Sequence, residues 1–291
     1  MKQALTGKVA IITGANQGLG LQIAKAFILA GANLMICARN DDLLQKAVKE
    51  LDALLIPGQK VCAQACDISK ESDIRSLVKK TKDTFGKVDI LVNNAGIYGP
   101  KGDIEDISWE EWIQAIQINV FGSVLMCREI IPHFKNQGFG KVIQLSGGGA
   151  TNPMPKISAY AVSKAAIVRF ADTLAEEVRE YGIDVNCIAP GALNTRMLDE
   201  ILQAGPKKVG QDFYDRSVKQ KSTGGVSMNS GSELAVFLAS DASNGISGKL
   251  ISATWDKWQD WPNYIDVLAK SDAYTLRRIV GRDRGLDWGD V

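Results

Sequence analysis

The stretch that restricts this chain most runs from Lys8 to Ala30. Lys8-Val9-Ala10-Ile11-Ile12 is a short apolar run rich in β-branched residues. It breaks at Thr13-Gly14-Ala15-Asn16-Gln17-Gly18-Leu19-Gly20 and resumes with helical periodicity over 21–30. A strand that turns through glycines into a helix has few architectures open to it, because the following strand returns by a right-handed crossover to lie parallel. The glycines let backbone approach a pyrophosphate, and the amides and dipole at the helix start favour its negative charge. Gly14, Asn16, Gln17, Gly18, Leu19 and Gly20 are therefore candidate phosphate contacts; a tight turn that binds nothing is the alternative.

The rest of the chain continues the alternation. Strand-like runs fall at 33–38, 60–65, 88–92, 142–145, 184–189 and 249–253. Helical patterns fall at 41–55, 69–85, 109–133, 157–181 and 233–240. Runs of these lengths imply an α/β fold, a doubly wound parallel sheet with helices on both faces. With 291 residues and 45% hydrophobic content, one large core is available and no second one is required.

Composition excludes several classes of function. The 34 basic and 33 acidic residues leave a net charge of +1, so no global field draws the chain to nucleic acid or to an anionic membrane. The cysteines Cys37, Cys62, Cys66, Cys127 and Cys187 form no C-x-x-C pair and sit in apolar segments, as reduced core thiols do. His133 is the single histidine and no G-x-S-x-G elbow is present, so a serine hydrolase is poorly supported and metal sites are poorly supplied. Apolar stretches are broken by polar residues such as Lys25 and Asn33, and a cytoplasmic protein is expected.

Arg39 follows the second strand, where a dinucleotide fold meets the adenosine ribose. An acidic residue there would bond the ribose hydroxyls of NAD, and Ala38-Arg39 offers none. A guanidinium can pair bidentately with a 2′-phosphate, so NADP is preferred over NAD. A solvated arginine at a strand end is the alternative, since Gln17 supplies no second cation. Asn40, Asp41 and Asp42 have the character of a helix cap and an acidic first turn.

The chemistry is placed at Ser146-Gly147-Gly148-Gly149-Ala150-Thr151 and Ser158-Ala159-Tyr160-Ala161-Val162-Ser163-Lys164. On a helix, Tyr160 and Lys164 share one face at i and i+4, which makes a possible proton-transfer pair. Asn93-Asn94-Ala95-Gly96 closes the fourth strand with side chains suited to bracing a turn beside a flat ligand. Asn119 sits mid-helix, where an amide competes for backbone hydrogen bonds; a functional reading and a satisfied core asparagine both remain open. The segment 193–230 is polar and broken by Gly205, Pro206, Gly224 and Gly225, as a lid or binding loop would be. Its lysines and arginine suit an anionic substrate or, more simply, a solvated face. Trp255, Trp258, Trp261, Tyr264 and Trp288 load the tail, for packing on the protein's own body or on a neighbouring subunit.

Thr13-Gly14-(three residues)-Gly18-Leu19-Gly20, Asn93-Asn94-Ala95-Gly96, Asn119, Tyr160-(three residues)-Lys164 and Pro190-Gly191 together resemble the short-chain dehydrogenase/reductase family over about residues 5–253. The resemblance implies a Rossmann sheet of seven parallel strands binding NAD or NADP, in a homodimer or homotetramer acting on a small molecule. It implies Tyr160 as acid/base, Lys164 on the nicotinamide ribose and Asn119 ordering a water. Further cofactor contacts are implied from Asp67 and Ile68 to adenine, from Asn93, Ala95 and Gly96 near the ribose, and from Pro190, Gly191, Leu193 and Thr195 around the nicotinamide. Residues 254–291 form an extension beyond what the family usually carries.

One position departs from the pattern. The family's substrate-binding serine stands thirteen residues before the tyrosine, and here that position is Gly147. Ser146, Thr151 and Ser158 are the nearby hydroxyls, with Ser146 the candidate third member of the site. The expected reaction is the interconversion of a secondary alcohol and a ketone. The alternatives are a dinucleotide-binding partner subunit or regulator with little turnover, and a dehydratase or epimerase of sugar-like substrates.

Overall fold

The computed structural model describes residues 3–288 and has one seven-stranded sheet, ordered β3-β2-β1-β4-β5-β6-β7. The strands are β1 (Val9–Thr13), β2 (Asn33–Ala38), β3 (Val61–Ala65), β4 (Ile90–Asn93), β5 (Gly140–Leu145), β6 (Ile183–Ala189) and β7 (Lys249–Ser252). Every pairing is parallel. The helices that follow β1 to β3 are α1 (Gly18–Leu29), α2 (Asp41–Asp52) and α3 (Glu71–Phe85); α4 (Trp109–Ile116) and α5 (Gly122–Gln137) lie between β4 and β5, and α6 (Ser158–Val178) between β5 and β6.

The strands alternate their side chains between two cores. Ala10, Ile12, Leu34, Ile36, Ile90 and Ile143 face α1 and α2, whereas Ile11, Met35, Cys37, Leu91 and Val142 face α3, α5 and α6. Covering both faces is what makes the strands read as continuous apolar runs. Neighbouring β1 and β4 connect outward in opposite directions. The crevice between their carboxyl ends is the switch point at which open α/β sheets bind ligands.

Three segments differ from the sequence reading. The polar segment 193–230 is not a loop: it folds into α7 (Arg196–Ala204), α8 (Pro206–Val209) and α9 (Gln211–Thr223). Leu198, Ile201 and Val209 bury, and Gly205, Gly210 and Gly224, all at positive φ, end the helices. The next helix, α10 (Met228–Ala239), begins earlier than its periodicity suggested, because Ser227 caps it and Gly231 lies close against Leu19 of α1. The helix over 109–133 is interrupted by a π-helical turn at Gln117–Phe121.

In the tail, Trp258 and Trp261 are buried in the protein's own body, with ring centroids 5.2 Å from Phe237 and 4.5 Å from Tyr274. Tyr274 also accepts a hydrogen bond from the Leu250 amide of β7, covering part of that edge. Trp255 and Trp288 are exposed. Helix α11 (Ile265–Lys270) follows, and a 3-10 turn at Gly281–Arg284 comes after it in the described tail. Among the described residues no helix is long and apolar enough to cross a membrane.

Candidate active site

A cavity of about 1120 Å³ opens at the carboxyl ends of the strands. The sequence-derived candidates meet there: Gly14, Asn16, Gln17, Gly18, Leu19, Gly20, Arg39, Asp67, Ile68, Ala95, Gly96, Ser146, Tyr160, Lys164, Pro190, Gly191, Leu193 and Thr195 all line it. Asn93 and Asn119 do not.

The turn after β1 is bare backbone held tightly. A Cβ on Gly14 would lie 2.9 Å from Ala95 Cα, and one on Gly20 would collide with Gly14 O and the Asn94 amide. Asn94 Nδ2 donates to the carbonyls of Thr13 and Gly14, at 2.9 and 3.1 Å. Thr13 Oγ1 in return accepts from the Asn94 and Ala95 amides. The Asn-Asn-Ala-Gly turn is thus the brace that shapes the glycine turn. Gln17 stands extended at the start of α1 without a side-chain cap, which leaves the first amides of the helix to a ligand. This donor set fits a pyrophosphate.

At the far end of the cavity Arg39 is exposed and makes no hydrogen bond or ion pair with another described residue. Asp67 beside it sits below the usual carboxylate range. Burial alone would raise it, but hydrogen bonds from the Ser69 hydroxyl and amide and the charges of Arg39 and Lys70 outweigh that.

Tyr160 and Lys164 lie one turn apart on α6. Lys164 Nζ donates to Leu145 O at 2.7 Å and stands 5.5 Å from the Tyr160 ring centroid. Burial pulls the Lys164 ammonium down to about 8. The Tyr160 phenol is pushed well up, chiefly by burial and then by the neighbouring phenol of Tyr98. Asn119 sits in the π-helical turn with its amide fully engaged. Its Oδ1 accepts from Ile97 N at 2.8 Å, and its Nδ2 donates to Ile97 O at 2.8 Å and to Ser163 Oγ at 2.9 Å. It ties the loop after β4 to α6. Asn93 points beneath the sheet, where its Nδ2 donates to Ser123 O and reaches Cys127 Sγ.

The neighbouring hydroxyls are less available than the sequence suggests. Ser146 Oγ is sealed from solvent and has no hydrogen-bond partner among the described residues. Ser158 Oγ accepts from Trp112 Nε1 at 3.1 Å, and Thr151 lies on the exposed rim.

A family model described as short chain dehydrogenase matches residues 8–205. The chain belongs to the short-chain dehydrogenase family. It is 30% identical over 250 residues to dehydrogenase/reductase SDR family member 4 of Sus scrofa, covering 86% of this chain and 87% of that one. Among solved structures, NAD+-bound xylitol dehydrogenase superposes with a TM-score of 0.77 at 26% identity, covering 85% of this chain and 98% of the other. A gluconate 5-dehydrogenase from Burkholderia cenocepacia in complex with NADP and tartrate gives 0.75 at 25% identity, over 86% and 95% of the two chains.

Tyr98 is the residue that sequence reasoning missed. Its ring lies 4.6 Å from that of Tyr160, centroid to centroid, tilted by 58°, and it lines the same cavity. The signal available was a phenol directly after Asn-Asn-Ala-Gly-Ile, but only the fold brings it to Tyr160.

Proposed function

We propose that this short-chain dehydrogenase interconverts a secondary alcohol and a ketone with NADP, or less favourably NAD, and that Tyr160 handles the proton. The observation that carries the reading is the opening of Tyr160 and Lys164 onto the one cavity that also holds the bare glycine turn and Arg39. The amides at the start of α1 would hold the pyrophosphate, Arg39 a 2′-phosphate, Asp67 and Ile68 the adenine, and Lys164 the ribose beside the nicotinamide. When bound, the nicotinamide supplies or accepts the hydride.

The chain's own work is positional and electrostatic. In the reducing direction the Tyr160 hydroxyl donates its proton to the carbonyl oxygen as that oxygen gains charge. In the oxidising direction a phenolate at Tyr160 takes the proton of the alcohol, and the Lys164 cation on the same helix face favours that phenolate. Asn119 holds the Ile97 loop against α6, which keeps the proton donor facing the cavity. The bound NAD+ and NADP of the two solved relatives support the choice of cofactor.

One observation favours a second reading, a cofactor-binding partner or regulatory protein with little turnover. Gly147 supplies no hydroxyl, and Tyr160 Oη occupies the space beside it. Nicotinamide absorbance under a panel of sugars, nucleotide sugars, steroids and simple ketones separates the two. Turnover of any panel member that is lost in Tyr160→Phe supports the enzyme. NADPH binding with no turnover across the panel supports the regulator and overturns the first reading.

A further inference from the structure

With glycine at position 147, the reacting oxygen lacks the hydroxyl donor that would otherwise accompany Tyr160. The serine hydroxyls near Tyr160 do not replace it. Ser146 Oγ is sealed from it, Ser158 Oγ is taken by the Trp112 indole, and Ser163 Oγ donates to Tyr160 O at 2.7 Å while accepting from Asn119. The Tyr98 hydroxyl has no hydrogen-bond partner among the described residues and is not sealed, and Tyr98 lines the cavity with its ring 4.6 Å from that of Tyr160, centroid to centroid.

The position of Tyr98 is fixed from both sides. Ile97 before it is bonded through both backbone groups to Asn119. Gly99 after it has φ of +73°, and a Cβ there would lie 2.7 Å from that of Ala115, so the loop is wedged against α4. Lys101 Nζ stands 5.6 Å from the Tyr98 ring centroid. Burial, and then the carboxylate of Glu200, push the Tyr98 phenol up to about 12. A phenol so placed keeps its proton through the neutral range and acts as a donor rather than a base.

We infer that the Tyr98 hydroxyl donates the second hydrogen bond to the reacting oxygen of the substrate, the bond that position 147 cannot make. This rests on the alcohol–ketone reading above. Tyr98 and Tyr160 then divide the work: Tyr160 exchanges the proton, and Tyr98 stabilises the charge that develops on oxygen in the transition state.

The test uses the full chain with NADPH and trifluoroacetophenone, an activated ketone. Tyr98→Phe is expected to lower kcat by roughly a hundredfold, the scale seen for loss of one oxyanion donor. KM and NADPH affinity should stay near wild type, Tyr98→His should restore part of the rate, and Tyr264→Phe, at an exposed phenol outside the cavity, should leave it unchanged. A Tyr98→Phe rate within twofold of wild type overturns the inference. If that variant stays active while Tyr160→Phe is dead, Tyr98 alone is refuted; if Tyr160→Phe is as active as wild type, the functional reading fails with it. Binding of trifluoroethanol to the NADP+ complex, followed by fluorine NMR, decides the matter even without turnover. A roughly tenfold weaker affinity in Tyr98→Phe supports the inference. Equal affinities, or no binding to wild type, overturn it.

Discussion

A Cβ built on Gly147 would lie 2.5 Å from the Tyr160 hydroxyl oxygen, so the phenol of α6 fills the place where a side chain at 147 would begin. Gly147 is itself extended, with φ of 179°, so its backbone does not demand glycine. The glycine makes room.

It follows that Gly147→Ser does not repair the site. The new side chain displaces Tyr160, and a shift of about 1 Å in a reacting group can cost on the order of a hundredfold in rate. Both Gly147→Ser and Gly147→Ala should lose activity to a similar extent, measured as kcat at saturating NADPH. A serine variant more active than wild type would contradict this geometry.

On the proposed reading, Arg39 sets cofactor choice. Removing a charge-assisted contact to phosphate costs about 1.5–3 kcal/mol, roughly tenfold to a hundredfold in affinity. Arg39→Ala should weaken NADPH by that factor and NADH by little, as read from fluorescence titration of each. Equal losses for the two cofactors would refute the phosphate contact.

Lys164 makes the stability of the cofactor-free protein depend on pH. Burial lowers its folded-state ionisation from the ordinary lysine value of 10.5 to about 8. Between those two values the unfolded chain binds more protons than the folded one, so stability from this group rises with pH. Below about 8 both states are protonated and the buried charge is a constant cost. Urea midpoints of wild type should therefore climb relative to Lys164→Met between pH 8 and 10.5. Parallel midpoints across that range would show that the ammonium is not buried as described.

The fold was legible because its signals are local. The β1–glycine–α1 unit, the apolar strands and the i, i+4 spacing of Tyr160 and Lys164 each lie within a short contiguous run of sequence. What escaped depends on tertiary context. Leu198, Ile201 and Val209 are too sparse among charged neighbours to announce α7 and α8, and they become helix faces only by burying against the rest of the chain. Asn119, unfavourable in a regular helix interior, sits where the helix opens into a π turn, and its amide serves the Ile97 loop and Ser163. Tyr98 meets Tyr160 across elements distant in sequence, a proximity no periodicity encodes.

On the reading proposed above, Tyr160 carries the proton for hydride exchange between a nicotinamide and a carbonyl carbon. Its most direct test compares wild type with Tyr160→Phe by nicotinamide absorbance over the panel of ketones and alcohols, with NADPH and NADP+ binding measured in parallel. Wild type should turn over, and Tyr160→Phe should lose at least roughly a hundredfold in rate with cofactor affinity retained. Equal turnover by the two proteins would contradict it.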